Sequence, residues 1–278
     1  MKMINSHINE QLAATAFSKQ AFVFDELYSN NTIIRYKRER VRNHVLGYLP
    51  VKSNILELNS GTGEDAIFFA ELGHNIHATD ISAEMQDVLK QKIKSSNLET
   101  LVSAELRSFT DLNNLQNKGP YDLIFSNFAG LNCTDELDHV LSSFHALLKP
   151  GGIVTLVMLP RFCFWETLLL AKGKFKTATR RWFSSKGRKA HVEGVPFTCW
   201  YHDPSEIIKK VKSDFDLICL EGLCTIVPPS YIEHFAEKYS RIWKYLKEKE
   251  ERNKSKWPWR SIGDYYIVSL KKKNGAIS

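Results

Sequence analysis

The stretch Asn54-Ile-Leu-Glu-Leu-Asn-Ser-Gly-Thr-Gly-Glu-Asp-Ala66, followed by His77-Ala-Thr-Asp80, decides how this chain is read. It has the form of a strand, a tight glycine turn, a helix, a second strand, and an acid where that strand ends. Ile55-Leu56-Glu57-Leu58 is the first strand. Gly61 and Gly63 carry no Cβ, so the backbone can approach a ligand closely there. The helix opening near Glu64 turns its free N–H groups back toward the loop. Asp80 follows Gly63 by seventeen residues, near the ~20 expected of a carboxylate that binds ribose hydroxyls in a βαβ nucleotide site.

A dinucleotide fingerprint would read G-x-G-x-x-G, with a pyrophosphate on the helix N-terminus. Here the third glycine is missing, and Glu64 and Asp65 open the helix. Their charges argue against a pyrophosphate and for a cofactor carrying an amino group and a sulfonium. Glu57-Leu58-Asn59-Ser60-Gly61-Thr62-Gly63 resembles motif I of the class I S-adenosylmethionine-dependent methyltransferases. Asn59 stands where that family's pattern has its first glycine, and Asn is among the residues most tolerant of positive φ. Tyr121-Asp122-Leu-Ile-Phe-Ser-Asn127-Phe128 resembles the family's fourth strand, and Leu147-Leu-Lys-Pro-Gly-Gly152-Ile-Val-Thr-Leu-Val its next turn and fifth strand. The N-terminal helical lead-in is similar to that of the small-molecule branch containing the ubiquinone/menaquinone-biosynthesis methyltransferases. The resemblance implies an α/β, Rossmann-like sheet of seven mostly parallel strands with flanking helices, and S-adenosyl-L-methionine as cofactor.

The chain has 278 residues, 43% of them apolar, enough for a sizeable core. Its formal charge is +7. Eight Lys and Arg lie between Lys172 and Lys189 with no acid among them, more than the whole net charge. Such a cluster suits nucleic acid, anionic lipid or a phosphorylated substrate. The five cysteines have no C-x-x-C spacing, which points to reduced thiols in a cytoplasmic protein and away from a disulfide frame or zinc site. The N-terminus lacks the apolar stretch of a secretory signal, and no apolar run reaches the ~18–20 residues of a bilayer span.

Residues 10–48 read as two helices, 12–28 and 33–48, split at Ser29-Asn30-Asn31. Strands are expected at 54–59, 75–80, 101–107, 121–127 and 152–159, with helices at 64–72, 83–96 and 135–148. Thr134 is the expected N-cap of the last of these helices. The segment from Pro160 to Trp200 is aromatic and basic, and includes Phe162, Trp165, Phe175, Trp182 and Phe183. Beyond it come a helix at 204–212, a strand at 215–220, a helix over 229–250 and a last strand at 265–270. The 229–250 helix has an apolar stripe of Ile232, Phe235, Tyr239, Ile242 and Leu246. The expected organisation is an N-terminal helical lid at 1–50, the cofactor-binding core at 51–160, an inserted cap after the fifth strand at 161–202, and the rest of the core at 203–278.

The expected cofactor site comprises Glu57, Asn59, Ser60, Gly61, Gly63, Asp80, Ile81 and Asn127. In the family an acid after the third strand often meets the adenine amino group. Ser108 and Phe109 occupy that stretch here, and Tyr28 of the lead-in is a candidate cover for the cofactor. Tyr201 and His202 are candidate acid–base groups, since a histidine titrating near neutrality can take a proton from a hydroxyl or amine. The bland reading of each is a packed aromatic or a structural histidine. Metal ligation is not expected.

The inferred chemistry is in-line displacement from the sulfonium to O, N or C of a small apolar or anionic acceptor. The protein mainly orients the reactants and excludes water, worth on the order of 7–11 kcal/mol. The basic cluster raises two further expectations, a peripheral contact with anionic membrane and, as the rival function, an RNA methyltransferase. Ser126-Asn127-Phe128-Ala129 lacks the prolines that nucleic-acid amino methylases carry at this place, which disfavours that rival. A nicotinamide oxidoreductase and a non-catalytic protein of the same fold are the remaining alternatives. The sequence leaves the acceptor and the oligomeric state open.

Overall fold

A computed structural model describes residues 6–274, apart from 183–185 and 233. Phe183 therefore lies outside the described residues. Three helices lead in: α1 (Ser6–Ser18), α2 (Phe24–Ser29) and α3 (Thr32–Leu46). The expected first helix is broken into two, because residues 19–23 run through turns. Between α2 and α3, the Asn31 side chain accepts the Ile33 and Ile34 N–H groups as the N-cap of α3.

Next come β1 (Asn54–Leu58), α4 (Glu64–Glu71), β2 (Asn75–Asp80), α5 (Ala83–Ser95), β3 (Val102–Leu106), β4 (Tyr121–Ser126), α6 (Leu137–Leu147) and β5 (Leu148–Met158). The elements agree with the expected ones to within a few residues. Thr134 is not the cap of α6. That position falls to Glu136, whose N–H the Thr134 hydroxyl accepts.

The segment after β5 holds α7 (Phe164–Thr167), α8 (Phe175–Ala178) and a hairpin of β6 (Arg188–Val192) and β7 (Val195–Cys199). The hairpin is a separate two-stranded sheet. Asn9 of α1 clamps it: Asn9 Oδ1 accepts the Thr198 N–H at 2.6 Å, while Nδ2 donates to Thr198 O and Cys133 O. The chain closes with α9 (Pro204–Val211), β8 (Phe215–Leu223), α10 (Phe235–Lys238), α11 (Ser240–Asn253) and β9 (Tyr265–Lys272). The single helix expected at 229–250 is thus two. Its buried side also differs from the expected stripe: Trp243 and Ala236 are buried, whereas Tyr239 and Ile242 are exposed.

The main sheet has seven strands in the order β3-β2-β1-β4-β5-β9-β8. Neighbours from β3 to β5 are parallel, and β9 runs antiparallel to both β5 and β8. Strands of this sheet are apolar on both faces because helices cover both. One face carries Leu56, Leu58, Ile124 and Val154 against Phe144 of α6 and Ile207 of α9. The other carries Ile55, Leu123 and Phe125 against Phe69 of α4, Leu89 of α5, and Val41 and Val45 of α3. The strand order reverses between β1 and β4. In open α/β sheets a ligand crevice forms at that reversal, beyond the carboxyl ends of the strands.

Candidate cofactor and acceptor site

The loop leaving β1 is held in shape by left-handed residues. Asn59, Gly61 and Gly63 have φ of 46°, 55° and 78°. The Gly63 position has no space for a Cβ, which would fall 2.1 Å from Leu89 Cδ1. Asn59 fills the place of a glycine and uses its amide. Its Oδ1 accepts Ser126 Oγ–H at 2.6 Å and its Nδ2 donates to Asn127 O at 2.9 Å, so the loop after β1 is laced to the end of β4.

Asp80 ends β2 beneath this loop. One carboxylate oxygen accepts the Gly61 N–H and the other the Ser82 N–H, both at 2.9 Å. Burial pushes its pKa up, against those two bonds. Glu57 is buried on β1, and its Oε2 has no partner. Burial, reinforced by the nearby Asp65 charge, holds Glu57 well above the usual carboxylate range.

Glu64 and Asp65 are not the free charges that the sequence suggests. Glu64 pairs with Lys92 at 2.7 Å. Asp65 pairs with Arg42 at 2.7 Å and Arg38 at 3.3 Å, and accepts from Asn127 Nδ2. Although burial opposes ionisation, Arg38 and Arg42 hold the Asp65 pKa down. Repulsion of a pyrophosphate by these two acids is therefore weaker than the bare sequence implies.

After β4, Phe128 and Ala129 both take left-handed conformations, with φ of 50° and 64°. Such backbone costs of order 1–3 kcal/mol per residue and persists where the surroundings impose it. It sets the Phe128 ring beneath the Arg38 guanidinium, 5.0 Å from the ring centroid.

These groups enclose a cavity of about 910 Å³, part of it open to solvent. Of the expected site residues, Glu57, Asn59, Ser60, Gly61, Asp80, Ile81, Phe109 and Asn127 line it. Gly63 sits behind, as the N-cap of α4. Ser108 borders the cavity through a hydrogen bond to Glu10. Tyr28 lines a neighbouring cavity with Arg35 and Arg42, and Phe24 faces both. Neither Tyr201 nor His202 lines the cofactor cavity. Tyr201 is buried under the Arg181 guanidinium, and burial drives the His202 pKa down to about 4. Sequence reading missed Glu10, Phe17, Phe24, Arg38 and Met85, all of which line the cavity. Apart from Met85 they come from the three lead-in helices, where no motif marks them.

The basic cluster is also partly spent. Arg181 is 2% exposed, with Nη2 at 2.6 Å from Glu166 and 2.8 Å from Asp264. Arg180 pairs with the same Glu166 at 2.5 Å. The cluster therefore cannot be counted as eight free surface cations.

Residues 55–152 match a family described as a methyltransferase domain. This match, with the relatives and solved structures that follow, supports a class I S-adenosylmethionine-dependent methyltransferase. The Bacillus subtilis protein YqeM, named as a methyltransferase, is 30% identical over 137 residues, 48% of this chain and 51% of that protein. The malonyl-[acyl-carrier protein] O-methyltransferase of Pectobacterium atrosepticum is 26% identical over 160 residues, 56% of each chain. The matched region spans about half the length of these relatives. Among solved structures, the 1,6-didemethyltoxoflavin-N1-methyltransferase of Burkholderia thailandensis shares the fold at a TM-score of 0.57, with 14% identity over 99% of this chain and 93% of that one. These matches support the class and not a particular branch within it. The matches point to S-adenosylmethionine as the cofactor, and the site suits it. A glycine turn approaches from one side, an unpartnered buried Glu57 oxygen can meet an ammonium, and Asp80 keeps lone pairs free for ribose hydroxyls. No helix among the described residues is long and apolar enough to cross a membrane.

Proposed function

We propose that this methyltransferase acts on a small acceptor, apolar or anionic, bound between the end of β4 and the N-terminal helices. Transfer to O, N or C is open to such a site, and an acidic oxygen is favoured. The carrying observation is the lining of the cavity. Among the described residues it contains Phe17, Phe24 and Phe128 with one cation, Arg38, and no histidine, tyrosine or lysine; of its five acids, Glu64 pairs with Lys92 and Asp65 with Arg38 and Arg42. An acceptor that arrives already deprotonated, such as a carboxylate, needs no base from the protein.

S-adenosylmethionine supplies a methyl on a sulfonium, so the acceptor lone pair forms the new bond as the C–S pair returns to sulfur. The chain's own residues supply placement. Glu57 holds the ammonium end, Asp80 the ribose, and the strained Phe128 turn walls the acceptor side. Arg38, paired with Asp65 at 3.3 Å, is the lining cation that an anionic group would meet. α1 and α2 act as the lid that excludes water, and the β6–β7 hairpin braces α1 from behind through Asn9, whereas no described residue of 161–202 lines the cavity, so the expected cap over it is not found there.

Two relatives fit an acidic acceptor by name: the malonyl-[acyl-carrier protein] O-methyltransferase, and the tRNA 5-carboxymethoxyuridine methyltransferase of Escherichia coli. RNA is the second reading. It is disfavoured because Arg181 is buried and Arg180 is paired, which thins the basic surface. Membrane contact would rest on the remaining exposed lysines. The test uses methyl-labelled cofactor with a panel of small carboxylic acids and, separately, bulk tRNA. Label released as volatile methanol by mild base marks a methyl ester. Label retained in precipitated RNA, with none in the acids, replaces this reading.

A further inference from the structure

Glu10 of α1 is 2% exposed, yet one of its carboxylate oxygens has no partner. Its Oε2 is fully engaged: Ser108 Oγ donates at 2.5 Å and Thr110 Oγ1 at 3.0 Å. Its Oε1 is buried without any donor, and Glu10 lines the cofactor cavity. A buried carboxylate oxygen left without a donor is costly, so such a group calls for a ligand that brings one.

Its place in the fold says which donor. Ser108 and Thr110 lie just past the end of β3, so Glu10 stands over that strand. The sheet order then sets three carboxylates in a row: Glu10 over β3, Asp80 at the end of β2, and Glu57 on β1. Neighbouring strands are about 4.8 Å apart. The cofactor carries its donors in the same order: the amino group of the base, the ribose hydroxyls, and the α-ammonium. Asp80 and Glu57 account for the second and third.

The shape agrees. Glu10, Ala13, Ala14 and Phe17 follow one another at i, i+3, i+4 and i+7, one face of α1, and all four line the cavity. Two alanines between an acid and a phenylalanine leave a low strip on this face, and Phe109 and Ile81 line the same cavity. Asn9, one residue earlier, pins this helix to the β7 strand and so fixes where Glu10 points.

We infer that Glu10 Oε1 accepts the exocyclic amino group of the cofactor's base, so that the N-terminal helix, and not the sheet, reads 6-aminopurine. This inference rests on the S-adenosylmethionine reading of the cavity. The experiment is calorimetry with S-adenosylhomocysteine and with S-inosylhomocysteine, whose base carries a carbonyl in place of the amino group, on the full chain and on Glu10→Gln. The unaltered protein should prefer the adenine compound by about tenfold or more, and Glu10→Gln should lose most of that preference. The inference is overturned if the unaltered protein binds both equally, a result that needs no variant to fold. It is equally overturned if folded Glu10→Gln keeps both the original affinity and the original preference. Failure of the unaltered protein to bind either compound would bring down the cofactor reading itself, and the inference with it.

Discussion

A Cβ placed on Gly130 would lie 2.3 Å from Asn59 Cγ, so the asparagine in the cofactor loop and the glycine after β4 fit only as a pair. Asn59 takes a place that a glycine would fill without contact. Its amide then bridges Ser126 and Asn127, and the space it needs is the space that Gly130 leaves empty.

The pair should behave as one unit. Gly130→Ala should cost about 1–3 kcal/mol through overpacking. Asn59→Gly should lose two hydrogen bonds, yet it should relieve Gly130→Ala when the two are combined. A double-mutant cycle read by urea unfolding should show coupling of about 0.5–3 kcal/mol. Strict additivity would mean that the backbone yields at this point.

Glu250 of α11 accepts the backbone N–H groups of Cys224, Thr225, Ile226 and Val227 at 2.8–3.0 Å. It also lies 3.5 Å from Arg40. Glu250→Ala should cost about 3–5 kcal/mol, as breaking a buried ionic group does, because several buried donors lose their partner together. The urea midpoint should fall accordingly, while the affinity of the folded protein for S-adenosylhomocysteine should hold.

His202 predicts an acid-sensitive component of stability. Burial lowers its pKa from 6.5 to about 4 in the fold, so the unfolded chain binds the proton more readily. This contribution is fully present above the unfolded pKa and is lost as pH falls from about 6.5 toward 4. Between pH 7 and pH 5 the loss should be about 2 kcal/mol, and His202→Asn should flatten that part of the profile. The carboxylate of Glu221 behaves differently. Burial alone would raise it, but His44, Lys254 and Arg40 bring it down to about 2, so its contribution fades only below pH 4.5.

The basic segment should divide into two kinds of cation. Lys172, Lys174 and Lys176 are exposed, and replacing all three by glutamine should leave stability within about 0.5 kcal/mol per site. Arg181→Ala should cost about 3–5 kcal/mol, since it leaves Glu166 and Asp264 buried without their partner. Vesicle and RNA binding by the triple-lysine variant then reports on the exposed cations alone.

The sheet was readable because its signals are local. A glycine turn after an apolar strand, and an acid at the end of the next, lie within thirty residues of one another, and Glu57, Gly61 and Asp80 line one cavity. What was not readable depends on chain segments far apart. Glu10 meets Ser108 across 98 positions and Asn9 meets Thr198 across 189, so nothing beside them in the sequence announces a site. The run of eight cations looked unpaired because Asp264, the partner of Arg181, lies 83 positions away. His202 looked like a base because sequence cannot show which face of the domain buries it. The stripe on 229–250 misled for a related reason. The helix is interrupted at Tyr239, and the second piece turns Trp243 inward instead of Ile242.

Calorimetry of S-adenosylhomocysteine binding to the unaltered protein and to Asp80→Ala tests the central claim most directly. The account predicts one site in the unaltered protein and no binding of NAD. It predicts a loss of about 1–3 kcal/mol in Asp80→Ala, where ribose hydroxyls lose their acceptor and the Gly61 and Ser82 N–H groups lose theirs. An unaltered protein that binds NAD and not S-adenosylhomocysteine, or an Asp80→Ala variant with undiminished affinity, would contradict it.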